Sequence, residues 1–338
     1  MPLIPIVYVT REDPEGARGS LSEPVVADYG WQGARVGVDE INRSGQFLGK
    51  QYRLERIAIA AAGDIAAATR TALTEVGQIV IADLDAVDLR TIAALPEADR
   101  ALILDARTSD DSLRQQGCRD NVFHLLPNWS MRTDALAQFL AQRHWTRWFL
   151  LVGPAPSDQA YAAAVKRSAA AVGARIVIER RYQPPARRAA EYPSELTHVA
   201  VAYDVLLTAD TSGTFGESLE FNTWDPRLVA GTQGLTAVAW HPLFKEYAAR
   251  GIQYRFFLNA SRDMTERDYG NWLAATVIGE AVTRSGRSDG PECCSPPSMP
   301  MIALQFARSP TGMYPALRSA ATILASCPFA RPRRFHSP

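Results

Sequence analysis

Short apolar runs of strand length alternate with segments of helical apolar period along most of this chain. That alternation limits the possible folds more than any other property. Strand-like runs lie at 4–9, 52–59, 78–82, 101–104, 122–126, 148–152, 174–179, 205–209, 228–230 and 254–258. Helical patterns lie between them at 31–42, 64–76, 86–95, 131–143, 158–172 and 265–283. A strand, a helix and a second strand in this rhythm pair in parallel through right-handed crossovers, which gives doubly wound sheets. Ten strands exceed one comfortable sheet, and 338 residues exceed one comfortable core. The expected fold class is therefore α/β, with two doubly wound parallel-sheet lobes.

Charge and cysteine usage narrow the function. Lys+Arg and Asp+Glu both number 36, so no net field directs the chain to nucleic acid or an anionic membrane. No apolar run approaches the roughly 18 residues of a membrane-spanning helix. The opening MPLIPIVYVTRED lacks the basic region and the longer apolar stretch of a secretory signal. Of four cysteines, Cys118 lies in the body, and Cys293, Cys294 and Cys327 lie near the end. None has metal-ligand spacing, and the five histidines are scattered, so no metal and no cofactor is expected. Nor is there a Walker loop, a G-x-S-x-G elbow, an H-E-x-x-H or a G-x-G-x-x-G after a strand.

Residues 30–50, GWQGARVGVDEINRSGQFLGK, carry a more specific signal. A helix reading G-A-x-x-A-x-x-x-I-N followed by a G-x-x-x-G turn opens the periplasmic binding proteins of the leucine/isoleucine/valine-binding type. This stretch resembles that opening through Gly33, Ala34, Ile41, Asn42, Gly45 and Gly49. Asn121-Val122-Phe123-His124-Leu125-Leu126-Pro127 resembles the family's N-V-F-R-x-x-P crossover strand, and SDQAYAAAVKRSAAAVGARIV resembles a later helix and strand. The resemblance covers about residues 1–285. It implies two hinged lobes: 1–127 with 253–290, and 128–252. It also implies a periplasmic solute-binding component of an ABC importer, working with permease and ATPase subunits, reaching the membrane only through the permease and catalysing nothing. The runs IPIVYVTRE, IADL, WFLL and YDVL, the 224–235 segment and WHP at 240–242 resemble a subfamily linked with pyrroloquinoline-quinone-dependent alcohol oxidation. That likeness implies a solute related to alcohol catabolism. Residues 291–338 break the pattern, with nine prolines, three cysteines, five arginines and one acid. Such a segment reads as a disordered tail or as a native end replaced by a frameshift.

In open α/β sheets, ligands meet the loops at the carboxyl ends of strands. Those loops are Thr10–Glu12, Asp83–Asp85, Asp105–Ser109, Gly153–Asp158, Asp210–Ser212 and Gly231–Gln233. Asp64 and Ser157 or Asp158 within this class of residue read as helix caps. The resemblance then selects Asp83, Leu84, Asp85, Arg107, Thr108, Tyr161, Asp210, Thr211 and Gln233 as ligand-binding residues. Asp83 and Asp85 stand where amino-acid binders hold a carboxylate. Unpaired, they predict an acidic pocket that rejects anions and prefers neutral hydroxylated or cationic solutes. If Arg107 folds over them, anion tolerance returns.

Two other readings compete. IVIADLDAV at 79–87 places D-x-D after a strand, as in haloacid-dehalogenase-type phosphotransferases, with Asp83 as nucleophile and Asp85 as general acid. Alternatively, the same two lobes serve a ligand-sensing receptor.

Overall fold

The computed structural model describes residues 3–12, 26, 28–183, 192–246 and 248–285. The anomalous segment 291–338 lies outside them. The chain opens with β1 (Leu3–Arg11), α1 (Trp31–Gly45), β2 (Gln51–Ile59), α2 (Ile65–Glu75), β3 (Ile79–Asp83), α3 (Ala86–Ala93), β4 (Leu102–Asp105) and β5 (Val122–His124). It continues with α4 (Trp129–Gln142), β6 (Arg147–Val152), α5 (Pro156–Val172), β7 (Arg175–Arg181), α6 (Tyr192–Thr197), β8 (Val205–Ala209), α7 (Gly216–Leu219) and β9 (Leu228–Gly231). Two helices follow, α8 (Ala249–Ala260) and α9 (Glu266–Ser285).

The strands form two all-parallel sheets, ordered β2-β1-β3-β4-β5 and β7-β6-β8-β9. The described residues divide into two compact units. Unit 1 holds those of Met1–Ala17, Val26–Pro127 and Ala239–Pro338, and unit 2 those of Asn128–Val238.

Unit 1 shows why the period-2 and period-3.6 patterns lead to this fold. Ile4, Ile6 and Tyr8 of β1 face α1 and α9 in one core, and Val7 and Val9 face α2 and α3 in another. A central strand covered on both faces reads as a near-continuous apolar run, and β3 and β8 are buried at every position, with Asp83 and Thr208 their only polar members. Unit 2 repeats the arrangement. Trp148, Leu150 and Val152 of β6 pack under α4 and α5, and Phe149 and Leu151 pack beside Phe215 and Leu219.

The G-A-x-x-A-x-x-x-I-N motif has a packing explanation. A Cβ on Gly33 would lie 2.0 Å from the backbone oxygen of Asp268, so only glycine lets α1 approach α9 there. Asn42 closes the unit by pairing with both backbone groups of Tyr52: its Nδ2 donates to the carbonyl at 3.0 Å, and its Oδ1 accepts from the N–H at 2.7 Å.

One predicted strand is a helix. Residues 254–258 belong to α8, where Phe256 is fully buried beside Val36 and Met264. Tyr254, Phe257 and Leu258 remain 63%, 50% and 62% exposed. The run is apolar in sequence but buries one side only, so apolarity alone misread it. Because α8 joins α1 in this cluster, the chain re-enters unit 1 at Ala239, ahead of the return expected at 253.

Candidate functional site

In unit 1 the sheet order brings the ends of β3 and β4 side by side, with Ala82 opposite Asp105. Asp83, the last residue of β3, is fully buried. Its carboxylate accepts from the Tyr8 hydroxyl at 2.6 Å and from Arg267 Nε at 2.7 and 3.0 Å. The expected unpaired acidic pocket is therefore corrected: Asp83 carries its own counter-ion, and that ion is Arg267 rather than Arg107. Burial, the Asp83 charge and its hydrogen bond push the Tyr8 phenol well above its ordinary pKa, so it stays a donor. Burial opposes the charge on Arg267, but Asp83 outweighs it and raises the guanidinium pKa. Gly30 closes over this group. It has φ 77°, and a Cβ there would lie 2.3 Å from Asp83 Oδ2.

The neighbouring residues have other duties. The Leu84 side chain belongs to the core under α2 and α3. Asp85 is exposed and caps α3, accepting from the N–H groups of Val87 and Asp88 at 2.9 and 2.8 Å. Asp105 ends β4 and is likewise buried. It accepts from the backbone of Arg107 and Thr108, from the Thr108 hydroxyl, and faces His124 Nδ1 at 2.6 Å. Thr108 thus directs its proton inward. Arg107, between these residues, is exposed, and its guanidinium makes no hydrogen bond among the described residues. Partial desolvation and the charge of Arg267 hold its pKa below the ordinary value, opposed by Asp83, Asp85 and Tyr8.

At the start of α9, Asp268 plays a similar organising role. Fully buried, it accepts from Gly30 N–H at 2.9 Å, from Arg262, and from Thr265.

In unit 2 the candidates Asp210, Thr211 and Gln233 and the cap residue Asp158 fall into two neighbouring hydrogen-bonded groups. Buried Asp158 accepts from Ala155 N–H at 3.0 Å, as a cap does, and from both the N–H and hydroxyl of Thr211 at 2.7 Å. Asp210 is also fully buried. It accepts from the backbone of Thr214 at 3.0 Å and of Phe215 and Gly216 at 2.7 Å, with Ser212 and Thr214 hydroxyls adding longer contacts. Gln233 Nε2 donates to the Asp210 carbonyl at 2.7 Å, and its Oε1 accepts from Thr232. Tyr161 stands apart. It is 2% exposed in the core of α4, α5 and β6, edge-on to Trp129, and burial raises its phenol pKa.

Chain position hid the most consequential residue. Arg267 pairs with a carboxylate 184 residues away, and no local pattern marks it. Among the described residues no cluster of three or more histidine, cysteine or acidic side chains could hold a metal ion. Among the same residues no helix is long and apolar enough to cross a membrane.

A family model described as periplasmic binding protein matches residues 19–219. No curated protein matches the sequence. Many solved structures share the fold. A branched-chain amino acid ABC transporter periplasmic ligand-binding protein from Burkholderia xenovorans LB400 is similar with a TM-score of 0.69. It is 16% identical, over 89% of this chain and 83% of that one. An ABC transporter substrate-binding protein from Desulfitobacterium hafniense, solved with Leu, gives 0.66 at 17% identity over 89% and 88%. A solute-binding protein of an ABC transporter from Rhodopseudomonas palustris BisB5, solved with 3,4-dihydroxybenzoic acid, gives 0.67 at 12% identity over 88% and 85%.

Proposed function

Because the chain belongs to the periplasmic binding protein family, we infer that it binds a small solute as the receptor component of an ABC importer. Its partners in this reading are a permease and an ATPase subunit, and it works in the periplasm. The carrying observation is the set of strand-end loops at Asp83, Asp105 and Asp210, each fixed by a buried carboxylate that gathers hydrogen bonds from its own loop or its neighbours. Such loops hold their backbone groups in place before a ligand arrives, which lowers the ordering cost of binding.

The phosphotransferase reading fares worse. Asp83 is buried under Gly30 and bound to Arg267 and Tyr8, whereas a nucleophile needs an open oxygen, and Asp85 holds the start of α3. The finer link to alcohol catabolism rests on sequence likeness alone. At WHP, Trp240 is buried and donates to the Met264 carbonyl, so that residue contributes to packing.

A thermal-shift screen of alcohols, amines, amino acids and organic acids tests solute binding. A ligand at a hundredfold excess over its Kd stabilises the folded state by about 2.7 kcal/mol. No shift from any class would remove the reading.

A further inference from the structure

Arg267 and Arg107 meet at one edge of unit 1. A Cβ on Gly270 would lie 2.5 Å from the backbone oxygen of Ala106, which fixes the first turn of α9 beside the loop that carries Arg107. Arg267, in that turn, uses only Nε on Asp83. Its other two guanidinium nitrogens have no hydrogen-bond partner among the described residues, and its side chain is 20% exposed. The Arg107 guanidinium is likewise unpartnered there. Asp83 pairs with Arg267 alone, and Asp268, itself bound to Arg262, adds to the attraction on Arg267; Arg107, close enough for Arg267 to repel its charge, has no hydrogen-bonded carboxylate. Asp85 also attracts Arg107, but it is exposed and engaged as a cap, where water screens it.

The buried carboxylates of the unit 2 strand-end loops offer an ammonium group no such opening. Asp158 and Asp210 are fully buried, and backbone and hydroxyl donors of their own loops, and for Asp158 of Thr211 after β8, occupy both oxygens of each. Tyr161 lies in the core, and the Gln233 amide is tied to Asp210 and Thr232. Among the described strand-end residues, anion donors are free and buried ammonium acceptors are not.

We propose that Arg107 and Arg267 form an anion subsite on unit 1 that receives the carboxylate of an organic acid lacking an ammonium group. The proposal rests on the solute-binding reading and names its substrate class. A planar guanidinium donates two parallel hydrogen bonds to a carboxylate, and a second guanidinium beside it is relieved of like-charge repulsion by the same anion.

The test uses matched probes. The full chain is titrated calorimetrically with 4-methylpentanoate, 2-hydroxy-4-methylpentanoate, benzoate, leucine, leucinol and 4-methylpentan-1-ol. The expected result is binding of one or more of the three acids without an ammonium group, more tightly than leucine or either alcohol. Arg107→Met, at an exposed position, should weaken that binding by about 10- to 100-fold, with Arg107→Lys intermediate. Leucine or leucinol binding most tightly would overturn the proposal while leaving the solute-binding reading intact. Carboxylate binding unchanged in Arg107→Met would do the same. Absence of binding by every probe would overturn the proposal, and absence in the wider screen as well would remove the reading beneath it.

Discussion

Replacing Arg267 by Met isolates the cost of an uncompensated carboxylate in unit 1. Asp83 is 0% exposed and would keep only the Tyr8 hydroxyl, 2.6 Å away. Breaking a buried pair from one side typically costs about 3–5 kcal/mol. Protonation sets a ceiling. Neutralising an ordinary aspartate, with a pKa of about 3.9, costs about 1.36 kcal/mol per pH unit above that value. The ceiling is thus about 4 kcal/mol at pH 7 and about 1.5 kcal/mol at pH 5. The penalty vanishes below about pH 3.9 and grows as pH rises, because the unfolded chain keeps its carboxylate solvated while the folded one must neutralise it. Urea denaturation of Arg267→Met at pH 5 and pH 7 measures this difference. Adding Asp83→Asn removes the charge but keeps an acceptor for Tyr8, so the double variant should recover about 2 kcal/mol at pH 7 and lose the pH dependence. Equal destabilisation at both pH values, or no recovery in the double variant, would refute the reasoning.

Three further outcomes follow from the geometry. Asp210→Ala strips the acceptor from three backbone N–H groups in unit 2 and should destabilise it by about 2–4 kcal/mol by chemical denaturation, with Asp210→Asn milder. Gly33→Ala drives a Cβ against the Asp268 carbonyl and should cost about 1–3 kcal/mol, whereas Ala substitution at Gly49, where no atom lies within 4 Å, should show only the strain of its φ of 67°. The Asp204 carboxyl is held below its ordinary pKa by Arg147 and by the N–H groups of Arg147 and Thr146. Its contribution is present above the ordinary aspartate pKa and is lost as pH falls below it, so Asp204→Asn should flatten the acid limb of a thermal-melting profile.

The division of the chain into strands and helices was legible because it is local. Buried parallel strands need unbroken apolar runs, and helices against them need a 3.6-residue stripe. Nine of the ten predicted strands therefore form where expected. The caps at Asp64 and Asp158 were local too, since the donors lie within three residues. The failure at 254–258 marks the limit of that reasoning. A run such as Tyr-Arg-Phe-Phe-Leu is compatible with either period, and only the cluster around Val36 and Trp240 selects the helix that buries Phe256.

The sequence by itself determined the two-sheet α/β plan and the loops at the strand ends, because both follow from short-range periodicity and from turn-forming residues. Charge balance in those loops was beyond it. Asp83 and Asp85 look equivalent in the chain, two residues apart after one strand. Tertiary structure buries the first against Tyr8 and Arg267 and leaves the second in water capping α3. Asp210 looked available to a ligand until the fold directed three backbone N–H groups of its own loop onto it. An electrostatic site depends on which distant charges the fold brings within a few ångströms, and residue order along the chain does not carry that information.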